Sequence, residues 1–169
     1  STLIGGKGAN AMWGGGSSND TMQGGSGRNV FWYANGDGSD TVTNFHGSSD
    51  TIYFYQGAFD SVTTSGNDVV FQAGNGSLRV SQGAAQRMAV RLRSQTIDCW
   101  FGRADQNNTV DYTSNINFYA GSADQTDTLR VTGSQTTFVN LQSKQDCWYL
   151  NMDVVDSSAA TGSQVLVGS

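Results

Sequence analysis

Gly14–Asp40 reads GGGSSNDTMQGGSGRNVFWYANGDGSD. Its order is a glycine pair, a small residue, an Asn or Asp, an apolar residue, and then the same again. Outward from this stretch on both sides, six apolar bursts emerge: TLIGG from Thr2, AMWGG from Ala11, TMQGG from Thr21, VFWYA from Val30, TVTNF from Thr41 and TIYFY from Thr51. Their starts lie 9, 10, 9, 11 and 10 residues apart. A short fixed period signals stacked units before any local propensity is weighed. Each burst has about four residues, rich in Thr, Val, Phe, Tyr and Trp and bounded by Gly, Ser, Asn and Asp, which predicts strands between tight turns. Helix is excluded, since each interior helical glycine costs about 1 kcal/mol. In a turn that reverses a strand, glycine instead supplies positive φ without strain.

The composition agrees with stacked strands. The 169 residues include 22 glycines and no proline, where average usage gives about 8 prolines. Without proline every backbone N–H stays available for pairing. Charged residues make up 14% and the net charge is −5. No basic stripe exists to release counterions, so nucleic acid is excluded as a partner. Acidic residues in Gly-rich turns leave room for a divalent cation. No apolar run approaches the roughly 18 residues of a spanning helix, so no membrane insertion is expected. The chain shows no signal peptide and does not begin with Met. Its ends, STLIGG and QVLVGS, join into the same strand-turn rhythm, so it reads as a processed or excised piece of a longer array.

The residue just before each later burst is Asn or Asp: Asn10, Asp20, Asn29, Asp40, Asp50. Asp20-Thr21-Met22 recurs as Asp40-Thr41-Val42, Asp50-Thr51-Ile52, Asn108-Thr109-Val110 and Asp127-Thr128-Leu129. In this form the pattern resembles the repeats-in-toxin nonapeptide G-G-x-G-x-D-x-U-x, where U is a large apolar residue. The matching segments are GGKGANAMW (Gly5–Trp13), GGSSNDTMQ (Gly15–Gln23), GGSGRNVFW (Gly24–Trp32) and the looser NGDGSDTVT (Asn35–Thr43); FHGSSDTIY (Phe45–Tyr53) keeps the carboxylate and U. The resemblance covers residues 1 to about 55. It implies an all-β fold, a right-handed parallel β-roll or β-solenoid in which two nonapeptides complete one turn.

The same resemblance implies calcium between alternate loops, held by an Asp from each and by backbone carbonyls. Ca²⁺ takes about six to eight oxygens in a tolerant geometry. Sorted by side, Asn10, Asn29 and Asp50 share one edge, and Asp20 and Asp40 share the other. Two Asn slots weaken the first edge, because binding falls as anionic ligands are removed. The best site is therefore expected between the Asp20 and Asp40 loops. Its ligands would be Asp20, Asp40 and carbonyls around Gly15, Ser17, Gly36 and Gly38, with Asp37 nearby to add charge and Asp50 a further carboxylate on the opposite edge. The alternative is that these side chains only cap their own turns, without metal.

The resemblance implies that U points inward, so Leu3, Met12, Met22, Phe31, Val42 and Ile52 face in and, by alternation along a strand, the next residue faces out. One outer face then carries Ile4, Gln23 and Thr43, the other Trp13, Trp32 and Tyr53. Three wet aromatics on one face are unfavourable. Later parts of the chain are expected to pack over them; the alternative is a contact surface for a glycan or a neighbouring subunit.

From residue 58 the rhythm changes. Ser61–Thr64, Val69–Gln72 and Leu78–Gln82, separated by short Gly/Asn loops, predict a small antiparallel meander. In Ala84–Ser94, Met88, Val90 and Leu92 alternate with Arg87, Arg91 and Arg93, which predicts an amphipathic strand. The expected division is a degenerate roll at 1–57, the meander in the middle at 58–94, and looser solenoid turns at 95–169, forming one elongated unit. Asp105, Asp124 and Asp127 read mainly as turn polarity, with weak calcium binding as the alternative. IDCWF and QDCWYL share Asp-Cys-Trp-aromatic. A Cys99–Cys147 disulfide would close a loop of about 47 residues and add a few kcal/mol; free buried thiols and pairing between chains are the alternatives.

No catalytic constellation is legible. His46 is the one histidine and sits in a Gly-Ser turn, and neither G-x-S-x-G nor H-E-x-x-H occurs. The reading is a non-catalytic, calcium-stabilised structural module of a secreted, extracellular, surface-associated bacterial protein: an adhesin, surface layer or fibre-like array. Its partners would be calcium and copies of itself or adjacent units. The alternatives are a carbohydrate- or protein-binding module using Trp13, Trp32 and Tyr53, and a secretion-linked tail of an enzyme whose catalytic domain lies elsewhere.

Overall fold

The computed structural model describes the backbone of residues 1–134, 137–140 and 148–167, and the side chains of 1–134 and 150–166. Every apolar burst of the first 55 residues becomes a strand: β1 (Thr2–Ile4), β2 (Asn10–Trp13), β3 (Thr21–Gln23), β4 (Asn29–Tyr33), β5 (Ser39–Thr43) and β6 (Thr51–Phe54). β1, β3 and β5 pair in parallel in one sheet, and β2, β4 and β6 pair in parallel in a second. The chain thus changes sheet at every turn. Parallel neighbours need a crossover connection, and here that crossover is a strand of the facing sheet. The register aligns like with like: Thr2, Thr21 and Thr41 stand side by side, as do Trp13, Trp32 and Tyr53.

The inward set is as the alternation predicts. Met12, Met22, Phe31, Val42 and Ile52 are buried and join one core between the sheets, with Leu3 packed against it. A fully buried side chain of this kind contributes about 1.5–3 kcal/mol. The meander forms from β7 (Ser61–Ser65), β8 (Asp68–Ala73) and β9 (Gly76–Val80), antiparallel throughout. β9 then docks in parallel on β5, so the first sheet runs β1-β3-β5-β9-β8-β7.

Four later strands extend the second sheet. β10 (Arg87–Arg91) is the amphipathic strand, with Met88 and Val90 buried and Arg87 and Arg91 exposed; Ala89 is buried as well. It pairs in parallel with β6 and antiparallel with β11 (Thr96–Phe101). β13 (Phe118–Ala120) and β16 (Trp148–Leu150) continue the sheet in parallel. β12 (Thr109–Asp111), β14 (Thr128–Arg130) and β17 (Val154–Asp156) form a separate parallel sheet. β15 (Thr137–Asn140) pairs in parallel with β18 (Gln164–Val167).

A second core of Trp100, Tyr119, Leu129, Val131 and Met152 lies beyond β11 and β13. Cys99, Phe101 and Ala120 of those strands belong to the first core, and Trp100 and Tyr119 to the second. Both strands are therefore covered on both faces. The fold is all-β with parallel-rich sheets, and among the described residues no helix is long and apolar enough to cross a membrane.

Candidate functional site

Parallel register brings the residue before each strand against its counterpart one full turn later. At one edge these residues are Asn10, Asn29 and Asp50. Asn10 Nδ2 donates to Gly6 O at 3.1 Å, Gly8 O at 2.8 Å and Asn29 Oδ1 at 2.8 Å. Asn29 Nδ2 repeats this toward Gly25 O at 3.0 Å, Gly27 O at 2.9 Å and Asp50 Oδ1 at 3.0 Å. Asp50 Oδ1 also accepts the Asn29 backbone N–H and the Ser49 hydroxyl, and Asp50 Oδ2 accepts the His46 N–H. The exposed His46 ring stands 3.5 Å from that oxygen. On this edge the turn carbonyls face a neutral N–H donor.

Asn108 is built the same way. Its Nδ2 donates to Arg103 O at 3.0 Å, Gln106 O at 2.9 Å and Asp127 Oδ1 at 2.7 Å. Asp127 Oδ2 accepts the Ser122 N–H, and the Asp127 N–H reaches Asp153. Of the other acidic turn residues, Asp105 pairs with Arg103 at 3.4 Å and Asp124 is exposed.

The Asp20/Asp40 edge is different. Both side chains are buried, but neither carries an amide. Asp40 Oδ1 accepts the Asp20 backbone N–H at 2.9 Å. Asp40 Oδ2 is buried and has no hydrogen-bond partner, a state buried polar atoms rarely keep. Asp20 Oδ1 accepts from the Ser1 amino group and hydroxyl, and Oδ2 accepts a long bond from Ser18 Oγ. The two Oδ2 atoms both lie against Gly14: a Cβ built there would meet Asp20 Oδ2 at 2.9 Å and Asp40 Oδ2 at 3.0 Å. Glycine leaves a cradle between two carboxylates. Burial, and then the charges of Asp20 and Asp37, push the Asp40 carboxyl up to about 6. The Ser1 amino group and hydroxyl hold Asp20 below the usual carboxylate range. Burial and the same acidic cluster, Asp40 and Asp37, push the Tyr33 hydroxyl up to about 12.

Among the described residues no three His, Cys, Asp or Glu side chains group to hold a metal by themselves, so a cation here would draw on two carboxylates and backbone carbonyls. Gly15, Gly36 and Gly38 all take positive φ in these turns. The Gly38 carbonyl already accepts from Tyr33 Oη and the Ser77 N–H. Ser17 O and Ser18 O both lie against Gly38. Asp37 is turned away: its Oδ2 accepts from Trp13 Nε1 at 2.6 Å and the Ala34 N–H at 2.8 Å. Asp50 belongs to the Asn edge. Gly14 has no place among the expected ligands, although its six-residue separation from Asp20 is visible in the sequence.

The aromatic face departs from expectation. Later residues do cover the outer side of the second sheet, but over Trp100 and Tyr119. Trp13 remains 52% exposed and Tyr55 49%. Trp32 and Tyr53 are half-buried beside them, with Trp32–Tyr53 edge to face at 4.7 Å and Trp32–Tyr55 tilted at 5.6 Å. Tyr55 was not singled out because it follows β6, outside the repeat motif. Cys99 is buried and burial pushes its thiol up; Cys147 lies outside the described residues, and with it the expected disulfide. No protein-family model, curated protein or solved structure matches the chain.

Proposed function

We propose that this chain is a calcium-stabilised, non-catalytic structural module of a secreted, surface-associated protein, with its cation at the Asp20/Asp40 edge. The observation that carries the reading is the buried, partnerless Asp40 Oδ2 facing Asp20 across Gly14. Two converging carboxylate oxygens with turn carbonyls nearby suit a hard cation bound at about 2.3–2.6 Å. The internal comparison points the same way. Where Asn replaces Asp, its Nδ2 takes the turn carbonyls and the next side-chain oxygen; at Asp20 the side chain carries no such donor. By the offsets seen at Asn108, the carbonyls of Gly15 and Ser18 would complete the site. A bound Ca²⁺ would supply the positive charge that lets Asp40 stay ionised while buried.

The finer architecture, a right-handed β-roll continuing as a solenoid, is part of this proposal. Alternation of successive strands between two sheets supports it. A cation that binds only the folded chain stabilises it by mass action. Such a module would fold where calcium is abundant, outside the cell, and would suit a surface array of like units. A tail of a secreted enzyme fits the same site equally, and the flanking gene sequence separates the two.

Thermal melts in calcium and in chelator test the reading. At about a thousandfold over Kd, calcium adds about 4 kcal/mol, a rise on the order of 10 °C for a chain of this size. Asp20→Ala/Asp40→Ala should abolish the rise. An identical melting point for the parent in both buffers, with no heat of calcium binding by calorimetry, removes the proposal.

A further inference from the structure

Trp13 is an exposed indole held in a fixed orientation. Its Nε1 donates at 2.6 Å to Asp37, whose carboxylate is itself buried and tied to the Ala34 N–H. One side of the ring rests on Gly15, where a Cβ would stand 3.5 Å from the indole; Gly15 has φ 65°. Tyr55 leans toward it, the ring centroids 6.5 Å apart at 45°. Beside Trp13 in the same row of the sheet stand Trp32 and Tyr53, and the indole N–H of Trp32 is buried without a partner. At the rim Arg91 lies 4.5 Å over the Tyr53 ring and makes no ion pair among the described residues.

A rigid, half-wet aromatic pair is a pre-organised contact, since holding the rings in place beforehand removes the entropy cost of ordering them on binding. Its size selects the occupant. Two half-exposed rings offer about 200 Å², whereas a stable protein interface needs about 800 Å² from each partner. A pyranose ring has the matching extent, with an apolar C–H face to lie on an aromatic face and hydroxyls around its edge to accept from a guanidinium. We propose that Trp13 and Tyr55 form a carbohydrate-binding platform that stacks against one or two sugar rings of a glycan, with Arg91 as a donor at the rim. The platform adjoins the Asp20/Asp40 edge through Gly15 and Asp37, but it does not rest on a cation being bound there.

The test is native affinity electrophoresis of the full chain, in calcium and in chelator. The gels contain, in turn, a β-1,4-glucan, a β-1,3-glucan, starch, a mannan, a xylan and polygalacturonate. Titration of the retarding polymer's hexasaccharide against tryptophan fluorescence follows. Retardation by at least one polymer is expected, with Tyr55→Ala and Trp13→Ala each weakening binding about tenfold or more and Tyr55→Phe retaining it. Tyr55→Ala matters most, because Trp13→Ala also strips Asp37 of a donor and can lower stability. No retardation across the panel overturns the platform, as does parent-like binding by Tyr55→Ala. Sedimentation showing a dimer that Tyr55→Ala dissolves would assign the face to a second copy of the chain instead.

Discussion

The two edges of the first 55 residues share a backbone plan and differ in one atom type. At Asn10 and Asn29 an amide nitrogen occupies the space between turn carbonyls and the next side-chain oxygen. At Asp20 an oxygen stands in the corresponding place, and Asp40 Oδ2 is left without a partner. Neutral N–H donors close the first edge with hydrogen bonds worth about 1 kcal/mol each. On the second edge the Ser1 amino group offsets the charge of Asp20, but no amide stands between the two buried carboxylates and Asp40 has no counter-charge of its own among the described residues. The same geometry closes on itself when it holds an amide; when it holds an acid it leaves Asp40 Oδ2 unpartnered, the place where the proposed cation would sit.

The largest expected effect comes from forcing the first edge to resemble the second. Asn29→Asp removes three donated bonds of a fully buried residue and sets a new carboxylate against Asp50. In chelator this should cost about 3–5 kcal/mol, a fall in melting temperature on the order of 10 °C. Calcium should recover part of the loss and raise the binding stoichiometry by one. A variant that melts like the parent in chelator would show that the amide row is not what holds this edge.

The converse change is smaller. Asp20→Asn supplies a donor to the second edge, so stability in chelator should rise by about 1–2 kcal/mol while the calcium response disappears. Retention of a full calcium response would move the cation elsewhere.

The smallest effect is in pH. The folded carboxyl of Asp40 lies near 6, above its ordinary value of 3.8, so between these values the folded state holds the proton that the unfolded state has lost. The contribution of Asp40 to stability in chelator should therefore be fully present below about pH 4 and decline as pH rises through about 6, on the order of 1 kcal/mol in all after solvent screening. Melting curves of parent and Asp40→Asn should diverge across this window, and calcium should suppress the divergence. Parallel curves would mean that Asp40 is ionised and satisfied in the folded protein.

The period of the Gly-rich turns made the six strands legible, because spacing near ten residues is a local property; their inward side chains and the two edges were legible through the resemblance to the nonapeptide repeat. Asn-for-Asp replacement was legible as a loss of charge. That the amide nitrogen takes over the turn carbonyls was not, since it depends on loop carbonyls meeting a side chain through space. The aromatic face shows the same limit: its outward direction follows from alternation, but what covers it depends on where residues beyond 95 dock. They dock over Trp100 and Tyr119, one sheet region away.

By itself the sequence determined an all-β, proline-free chain of short strands between Gly-rich turns, because hydrogen-bonding capacity and side-chain period are written residue by residue; the parallel pairing, with Asp20 and Asp40 on one edge and Asn10, Asn29 and Asp50 on the other, was what the family resemblance implied. Only the tertiary structure decided that Gly14 opens a gap between two buried carboxylates, that Asp37 locks Trp13 in place of joining them, and that Trp13 and Tyr55 stay wet. Those outcomes depend on distances between turns that are neighbours only after the sheets have stacked.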